Sequence, residues 1–235
     1  MSGAWILKLG ETVPGVRRRR GDFEDWIRAA APPDTDLQIA DPRLGPLPDP
    51  IEVRAAVLTG SAAMLDEPLP WREAVLDWVR ALLDRESWIL GICFGHQVLG
   101  LAAGGHVGWN PKGREIGRVL VGLRSEARED LLFRGLPDPL PVLETHSQSL
   151  RVLPPGARLL AGNDHDPHQA FRLGERAWGV QFHPEFDADV VRGYLAERGD
   201  ELRAEGLDPA ALAAGLRDTP GARRILERFL RASGS

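Results

Sequence analysis

One cysteine in this chain has the neighbours that nucleophilic catalysis requires. Cys93 is the single cysteine among 235 residues, and it lies between Gly91 and Gly95. An apolar run that predicts a buried strand precedes it, and a stretch that predicts a helix follows it. The pattern G-x-C-x-G at such a junction is typical of a nucleophile elbow, whose sharp turn leaves no room for side chains at the two flanking positions. The turn would place the thiol at a helix N-terminus, where amide donors and the helix dipole favour the thiolate.

A base and a carboxylate that could orient it occur far downstream. His183 ends another strand candidate, and Glu185 follows two residues later. This spacing lets the carboxylate hold one ring nitrogen while the other ring nitrogen faces a thiol. Sites of open α/β sheets form at the ends of strands, which is where both motifs are predicted. A lone cysteine is most often a small apolar core residue, but the two motifs together favour catalysis.

Two backbone N–H groups are candidates for stabilising an oxyanion. The N–H of Phe94 would point to where a tetrahedral intermediate carries its negative charge. Gly60 ends an earlier apolar run, and glycine permits close approach of the backbone to a ligand. Together they predict the two-donor oxyanion hole that accompanies a nucleophile elbow.

The two motifs resemble those of the class I, or triad, glutamine amidotransferase family. They read GICFGHQ at residues 91–97 and QFHPE at residues 181–185, and the resemblance covers roughly residues 4–195. It implies a flavodoxin-like α/β fold and hydrolysis of the glutamine side-chain amide. The resemblance also implies a role for each matching residue. These roles are nucleophile for Cys93, general base and acid for His183, orienting carboxylate for Glu185, and oxyanion-hole amides for Gly60 and Phe94.

Three more residues are candidates for binding the substrate. Gln97 matches the glutamine of the family's G-H-Q motif. Ser61 follows Gly60, where many family members carry a second glycine, so the resting conformation of this loop is open. His146 lies in the segment THSQS at the end of a strand candidate. Its position is compatible with a contact to substrate or with a structural role, and the sequence leaves both open.

The sequence most resembles the stand-alone, GMP-synthase-like branch of the family. Family members that build a nucleotide, an amino-acid precursor or carbamoyl phosphate are fused to a synthase or paired with one. No second domain of synthase size is recognisable in this sequence, so we expect ammonia to pass to an unidentified acceptor or partner synthase. The expected substrate is glutamine or another γ-glutamyl small molecule. The implied chemistry needs no metal and no organic cofactor.

Other functions fit parts of the same pattern. A hydrolase of γ-glutamyl peptides or conjugates would keep the triad and change only the substrate. A non-catalytic binding protein could use the same fold, although such a protein has no need of an intact nucleophile. An intracellular cysteine protease is a further alternative, which the glutamine-type motif disfavours.

Composition excludes several classes of protein. The chain has 29 basic and 34 acidic residues, a net charge of −5, whereas general nucleic-acid binders normally carry a strong basic excess. No apolar run reaches the roughly 18 residues of a membrane-spanning helix. A single cysteine rules out an intrachain disulfide and a thiolate zinc cluster. We therefore expect a cytoplasmic protein without a nucleic-acid or membrane partner.

The order of the predicted elements indicates an α/β fold. Buried strands alternate with helices in the first half, which predicts a mostly parallel central sheet with flanking helices. Short strand candidates between residues 118 and 182 predict a small antiparallel extension, and a helical tail follows. We expect an amidotransferase domain at 1–198 and a helical extension at 199–235 packed on it. Four consecutive arginines, at 17–20, are predicted to lie in a solvated loop.

Overall fold

The computed structural model describes residues 3–33 and 35–234 of the chain. The helices are α1 (Pro14–Arg20), α2 (Phe23–Arg28), α3 (Arg72–Asp84), α4 (Phe94–Ala102), α5 (Ala188–Glu197), α6 (Gly199–Ala204), α7 (Pro209–Gly215) and α8 (Pro220–Gly234). The strands are β1 (Gly3–Leu7), β2 (Leu37–Ala40), β3 (Val53–Leu58), β4 (Trp88–Ile92), β5 (His106–Trp109), β6 (Glu115–Leu123), β7 (Leu140–His146), β8 (Gln148–Val152), β9 (Arg158–Gly162), β10 (Ala170–Leu173) and β11 (Ala177–Val180).

A nine-stranded sheet forms the centre of the molecule, in the order β2-β1-β3-β4-β11-β10-β9-β6-β7. The first five strands of this order, β2-β1-β3-β4-β11, pair in parallel. The strands from β11 onward pair antiparallel. Strands β5 and β8 pair separately as a short antiparallel ribbon. The structure confirms the predicted fold class, with a mostly parallel sheet and an antiparallel extension that runs to its far edge.

Both faces of the sheet are buried, as continuous apolar strands predict. Along β3, Ala56 and Leu58 join a cluster with side chains of α3 and α4. The alternate residues Ala55 and Val57 join a second cluster, to which α8 contributes. Because successive side chains of a strand point to opposite faces, one short strand links two cores.

The N-terminal helices differ in part from the prediction. Asp22 caps α2 with a capping box that includes Asp25. The predicted loop at the four arginines is wrong, because these residues form the last turns of α1. Pro14 at the first helical position favours this start, and the buried side chain of Val16 anchors the helix. The last of the four, Arg20, pairs with acidic residues near the start of α5.

Helices dominate the chain after β11, as predicted. The amphipathic helix α8 buries Ile225, Leu226 and Phe229 against the sheet. Helix α6 is an additional element that the sequence pattern does not reveal. The boundary between residues 198 and 199 stays a prediction. Among the described residues, no helix combines the length and the apolar character needed to cross a membrane.

Candidate active site

Cys93 occupies the sharp turn between β4 and α4. Its backbone has φ +51° and ψ −104°, a conformation that residues with side chains rarely adopt. A Cβ at Gly91 would lie 2.4 Å from the carbonyl oxygen of Gly95, and a Cβ at Gly95 would lie 2.3 Å from the carbonyl oxygen of Leu58. Only glycine fits at either position, so the structure reproduces the elbow for the steric reason that the sequence indicates.

Backbone hydrogen bonds bring the elbow and the histidine motif to one edge of the sheet. The N–H of Cys93 donates to the carbonyl of Val180, the last residue of β11, at 2.8 Å. Three residues later in the chain, the N–H of His183 donates to the carbonyl of Leu143 in β7 at 2.9 Å. The two motifs, which are far apart in sequence, therefore follow the carboxyl ends of the adjacent strands β4 and β11.

A carboxylate fixes the ring of His183. The Nδ1 atom lies 2.7 Å from Oε1 of Glu185, and both side chains are buried. Burial disfavours the imidazolium, but the charges of Glu185 and of a Cys93 thiolate outweigh it and raise the pKa of His183 to about 10. The Nε2 atom has no hydrogen-bond partner within the described part of the chain. The ring is thus held through Nδ1, and Nε2 is left available for proton transfer.

Two aromatic rings hold the plane of the same imidazole. Phe186 stacks on His183 with 3.9 Å between ring centroids and 7° between planes. Phe23 lies nearly parallel to the imidazole at a centroid distance of 6.0 Å. The carboxylate fixes one ring nitrogen and the aromatic rings restrict its rotation, so the ring is oriented before any substrate binds.

The loop after β3 packs closely against this histidine. A Cβ at Gly60 would lie 3.0 Å from Cε1 of His183, so a larger residue would press on this imidazole. The hydroxyl of Thr59 donates to the carbonyl of Gly60 at 2.9 Å. The carbonyl of Thr59 accepts the N–H of Gly95 at 3.1 Å. These bonds fix the Gly60 peptide beside the first turn of α4, where the N–H of Phe94 is found.

A cleft opens over Cys93 and His183. Its walls include residues 61–64 of the loop after β3 and residues 145–148, which join β7 to β8. The Cys93 Sγ atom lies 3.9 Å from the carbonyl oxygen of Thr145. Six of the eight residues predicted for the site line this cleft. The other two, Glu185 and Gly60, lie next to His183.

The predicted substrate-binding residues already have partners within the protein. Gln97 Nε2 donates to the carbonyl of Gln148 at 2.8 Å and to Oε1 of Gln181 at 3.0 Å. Ser61 Oγ accepts the N–H of Ala63 at 3.1 Å. Both side chains therefore shape the walls of the cleft, and direct binding of substrate by them stays a prediction.

His146 belongs to a buried ionic cluster that the sequence did not reveal. Its Nδ1 donates to the carbonyl of Gln148 at 3.1 Å, and its Nε2 lies 2.8 Å from Glu144 and 3.3 Å from Glu115. Burial opposes the imidazolium, but the two carboxylates hold the pKa of His146 well above its usual value. Burial also raises the pKa of Glu144 to about 7. The arrangement favours the structural alternative for His146.

The same three side chains offer ligand atoms within 4.8 Å of one another, which makes them the candidate metal ligands of the described residues. Both ring nitrogens of His146 are engaged, however, and Gln169 Nε2 donates to Glu115 at 2.9 Å and to Glu144 at 3.1 Å. Hydrogen bonds within the protein thus already engage His146 and one oxygen of Glu144, whereas Glu144 Oε1 has no partner among the described residues.

Comparison with known proteins agrees with this geometry. The family model described as glutamine amidotransferase class-I matches residues 61–197. A GMP synthase (glutamine-hydrolysing) of Porphyromonas gingivalis is 37% identical over 158 residues, which is 66% of this chain and 28% of that protein. A protein of Arabidopsis thaliana named gamma-glutamyl peptidase 4 is 28% identical over 137 residues, 57% of this chain and 55% of that protein. The chain therefore spans only part of these curated relatives.

A solved structure extends the likeness to the whole fold. The crystal structure of a glutamine amidotransferase from Thermotoga maritima superposes with a TM-score of 0.77 and 25% identity, and the match covers 100% of both chains. The matched family segment, 61–197, runs from the loop after β3 to the end of α5 and so includes the elbow and the histidine motif. By this match, the chain belongs to the class I glutamine amidotransferase family.

Proposed function

We propose that this protein hydrolyses the side-chain amide of glutamine or of a related γ-glutamyl compound, with Cys93 as the nucleophile. The observation that carries the proposal is the state of His183 beside the elbow. Its Nδ1 is bound to Glu185 at 2.7 Å, and its pKa of about 10 keeps the ring protonated at neutral pH. A protonated imidazole next to a thiol stabilises the thiolate, which is the reactive form of cysteine.

The first half of the reaction breaks the amide bond. The thiolate of Cys93 attacks the amide carbon, and the negative charge that forms on oxygen accepts hydrogen bonds from backbone N–H groups at Gly60 and Phe94. As the intermediate collapses, His183 Nε2 gives its proton to the leaving nitrogen. Ammonia departs, and a γ-glutamyl thioester with Cys93 remains.

The second half releases the acid and restores the enzyme. His183 is now neutral and takes a proton from a water molecule that attacks the thioester carbonyl. The C–S bond breaks, glutamate or its γ-glutamyl equivalent leaves, and Cys93 returns as a thiolate beside a protonated His183. Glu185 stays ionised throughout and stabilises the imidazolium, as the orienting carboxylate of a triad does.

The fate of the ammonia is suggested by the name of a relative, the GMP synthase (glutamine-hydrolysing) of Porphyromonas gingivalis. We infer that ammonia made at Cys93 is passed to an acceptor that a synthase partner activates. A glutaminase rate that rises when that protein is added would support this inference.

A second candidate function is hydrolysis of γ-glutamyl peptides by the same three residues. The relative named gamma-glutamyl peptidase 4 supports it. A panel of substrates separates the two functions, since a peptidase should cleave γ-glutamyl dipeptides without a partner. An amidotransferase should act best on glutamine, and more strongly once its partner is bound.

The proposed nucleophile is tested by replacing the thiol. We expect Cys93→Ala to lose about 10³-fold or more of the amidase and γ-glutamyl hydrolase activity, because removal of a triad nucleophile removes the covalent route. The protein should also react at residue 93 with a glutamine-like electrophile, which mass spectrometry can locate. Since Cys93 is the only cysteine, a labelled thiol can only be Cys93.

A Cys93→Ala protein as active as the parent, in a preparation free of host enzymes, would overturn the mechanism. Complete absence of labelling would favour a non-catalytic binding protein.

A further inference from the structure

The wall of the active-site cleft carries an unusual distribution of charge. Two arginines, Arg114 and Arg198, line it, and no aspartate or glutamate does so within residues 3–33 and 35–234. The first of them is neutralised by its neighbours. Arg114 donates through Nε and Nη2 to the two carboxylate oxygens of Glu205, both at 2.8 Å, and it also pairs with Glu201.

Arg198 is in a different state. Of the carboxylates described, only that of Glu201 lies within 4.0 Å, and at 3.6 Å it is too far for a hydrogen bond. The same carboxylate is already engaged by Arg114. A guanidinium offers five N–H donors, and the described part of the chain supplies none of them with a side-chain or backbone acceptor at hydrogen-bond distance.

The position of Arg198 relates it to the reacting groups. It follows α5 directly, and its N–H donates to the carbonyl of Tyr194 at 2.9 Å. Residues four apart share a helix face, and Tyr194 also lines the cleft. Tyr194 is 5% exposed, whereas the side chain of Arg198 is 21% exposed. Arg198 thus lies on the cleft wall, nearer to solvent than the tyrosine.

We infer that Arg198 is a specificity-determining residue that binds a carboxylate of the substrate, away from the amide that reacts at Cys93. This inference rests on the proposed function and deepens it, because the substrate is then recognised through a carboxylate separate from the reacting amide. A guanidinium binds a carboxylate through two parallel N–H···O bonds. The partly buried position of Arg198 reduces the screening that would weaken such a pair in open water.

The carboxylate can come from two places on a γ-glutamyl substrate. One is the α-carboxylate of the glutamyl residue, which glutamine also has. The other is the terminal carboxylate of a γ-glutamyl peptide. Two pairs of probes distinguish these sources, namely glutamine against its α-amide, and γ-glutamylglycine against γ-glutamylglycinamide. Within each pair, only one negative charge changes.

Binding is measured by calorimetry in a Cys93→Ala background, so that no probe is consumed. We expect this protein to bind the charged member of one pair at least about tenfold more tightly than the neutral member. Adding Arg198→Gln should abolish that preference, and Arg198→Lys should retain part of it. Arg203→Gln is the matched control, because Arg203 lies on α6, is 64% exposed and pairs with Asp200.

The possible outcomes separate this inference from the proposed function. A preference that survives Arg198→Gln, or that Arg203→Gln reduces equally, would overturn the inference, as would equal binding within both pairs. Hydrolysis by the protein that retains Cys93 is scored independently. Binding that depends on Arg198 without any hydrolysis would refute the proposed function alone. Hydrolysis without charge preference would refute only the role of Arg198.

Discussion

At the scale of single residues, burial and neighbouring charges act in opposite directions on the pKa of His183. Its burial alone would lower the pKa of His183 and leave the ring neutral, as happens at His96, where burial lowers the pKa to about 4. Both histidines are almost fully buried. The difference is the carboxylate of Glu185 and the nearby Cys93, which favour the charged form. A buried histidine stays protonated because of its charged neighbours, since burial alone favours the neutral ring.

This balance predicts the alkaline limit of activity. Because protonated His183 must donate to the leaving nitrogen, kcat/KM should hold up to about pH 9 and fall as the pH rises through about 10. Glu185→Gln keeps the shape of the side chain and removes its charge. A hydrogen bond to a charged group contributes about 1.5–3 kcal/mol, so the alkaline limb should move down by about one to two pH units. A pH profile of both proteins measures this shift.

The control for that profile is Glu175→Gln. Glu175 is exposed and forms only a 3.5 Å pair with Arg172, so its loss should leave the alkaline limb in place. An alkaline limb of Glu185→Gln that coincides with that of the parent would show that the carboxylate does not set the protonation of His183.

Residue types and local spacing predicted that Cys93, His183 and Glu185 would lie together, but they could not predict the buried ionic cluster. Cys93 and His183 stand in motifs whose glycine and proline neighbours mark turns at strand ends. Glu115 faces His146 only because β6 and β7 pair in that register. The strand candidate began at residue 118, and a register between strands depends on packing that no short stretch of sequence contains.

At the scale of elements, the elbow depends on how closely α4 approaches the end of β3. The N–H of Gly95 donates to the carbonyl of Thr59, and the absence of a side chain at Gly95 allows this approach. Strand, turn and helix are therefore one steric unit. The strained backbone of Cys93 is maintained by contacts on both sides of it.

Gly95→Ala should disrupt this unit. The new Cβ would lie 2.3 Å from a backbone oxygen of Leu58, and backbone cannot move aside as a flexible side chain can. We expect a loss of about 3 kcal/mol in the free energy of unfolding, at the upper end of typical overpacking costs, together with loss of activity. Urea denaturation and a glutaminase assay measure the two effects.

Gly215→Ala is the matched substitution. Gly215 lies in α7, where no atom is within 4 Å of the added Cβ. Alanine favours helix over glycine, so this variant should be neutral or slightly more stable. Equal stability of the two alanine variants would argue against steric control of the elbow.

Elements with strong apolar periodicity were predicted well, and short or polar ones were not. The continuous apolar runs of β3 and β4 predict buried strands, and both are buried in the structure. Strand β5 begins with an exposed histidine and contains a glycine, so its own residues do not predict a strand. It forms a strand because it pairs with β8. The four arginines of α1 suggested a loop exposed to solvent, but a helix exposes charged side chains as readily as a loop does.

At the scale of the whole molecule, the site is the meeting point of three adjacent parallel strands. β3 leads to the loop that contains Gly60, β4 leads to Cys93, and β11 leads to His183. The sequence predicted this convergence, because the carboxyl ends of parallel strands share one edge. It could not predict which distant segment would cover the sheet beneath them, since many amphipathic helices would fit an apolar face equally well.

The covering segment is α8, and its contact with β11 links the end of the chain to the site. Phe229 packs edge-on to Trp178 of β11, with 6.3 Å between ring centroids and 80° between planes. It contacts Trp88 of β4 in a similar way, and the two tryptophans stack on each other at 5.8 Å. Three rings thus join α8 to the two strands that lead into Cys93 and His183.

Phe229→Ala should therefore weaken the whole fold while sparing the chemistry. Truncation of a fully buried phenylalanine costs about 3–5 kcal/mol, measured as a lower urea midpoint by tryptophan fluorescence. Arg231→Ala, at an exposed residue in the last turn of α8, should change the free energy of unfolding by less than about 0.5 kcal/mol. Well below its midpoint, Phe229→Ala should keep the kcat of the parent, because the described ring contacts of Phe229 are with Trp88 and Trp178 and not with Cys93 or His183. If kcat fell while the midpoint stayed unchanged, α8 would act on the catalytic geometry directly instead of through global stability.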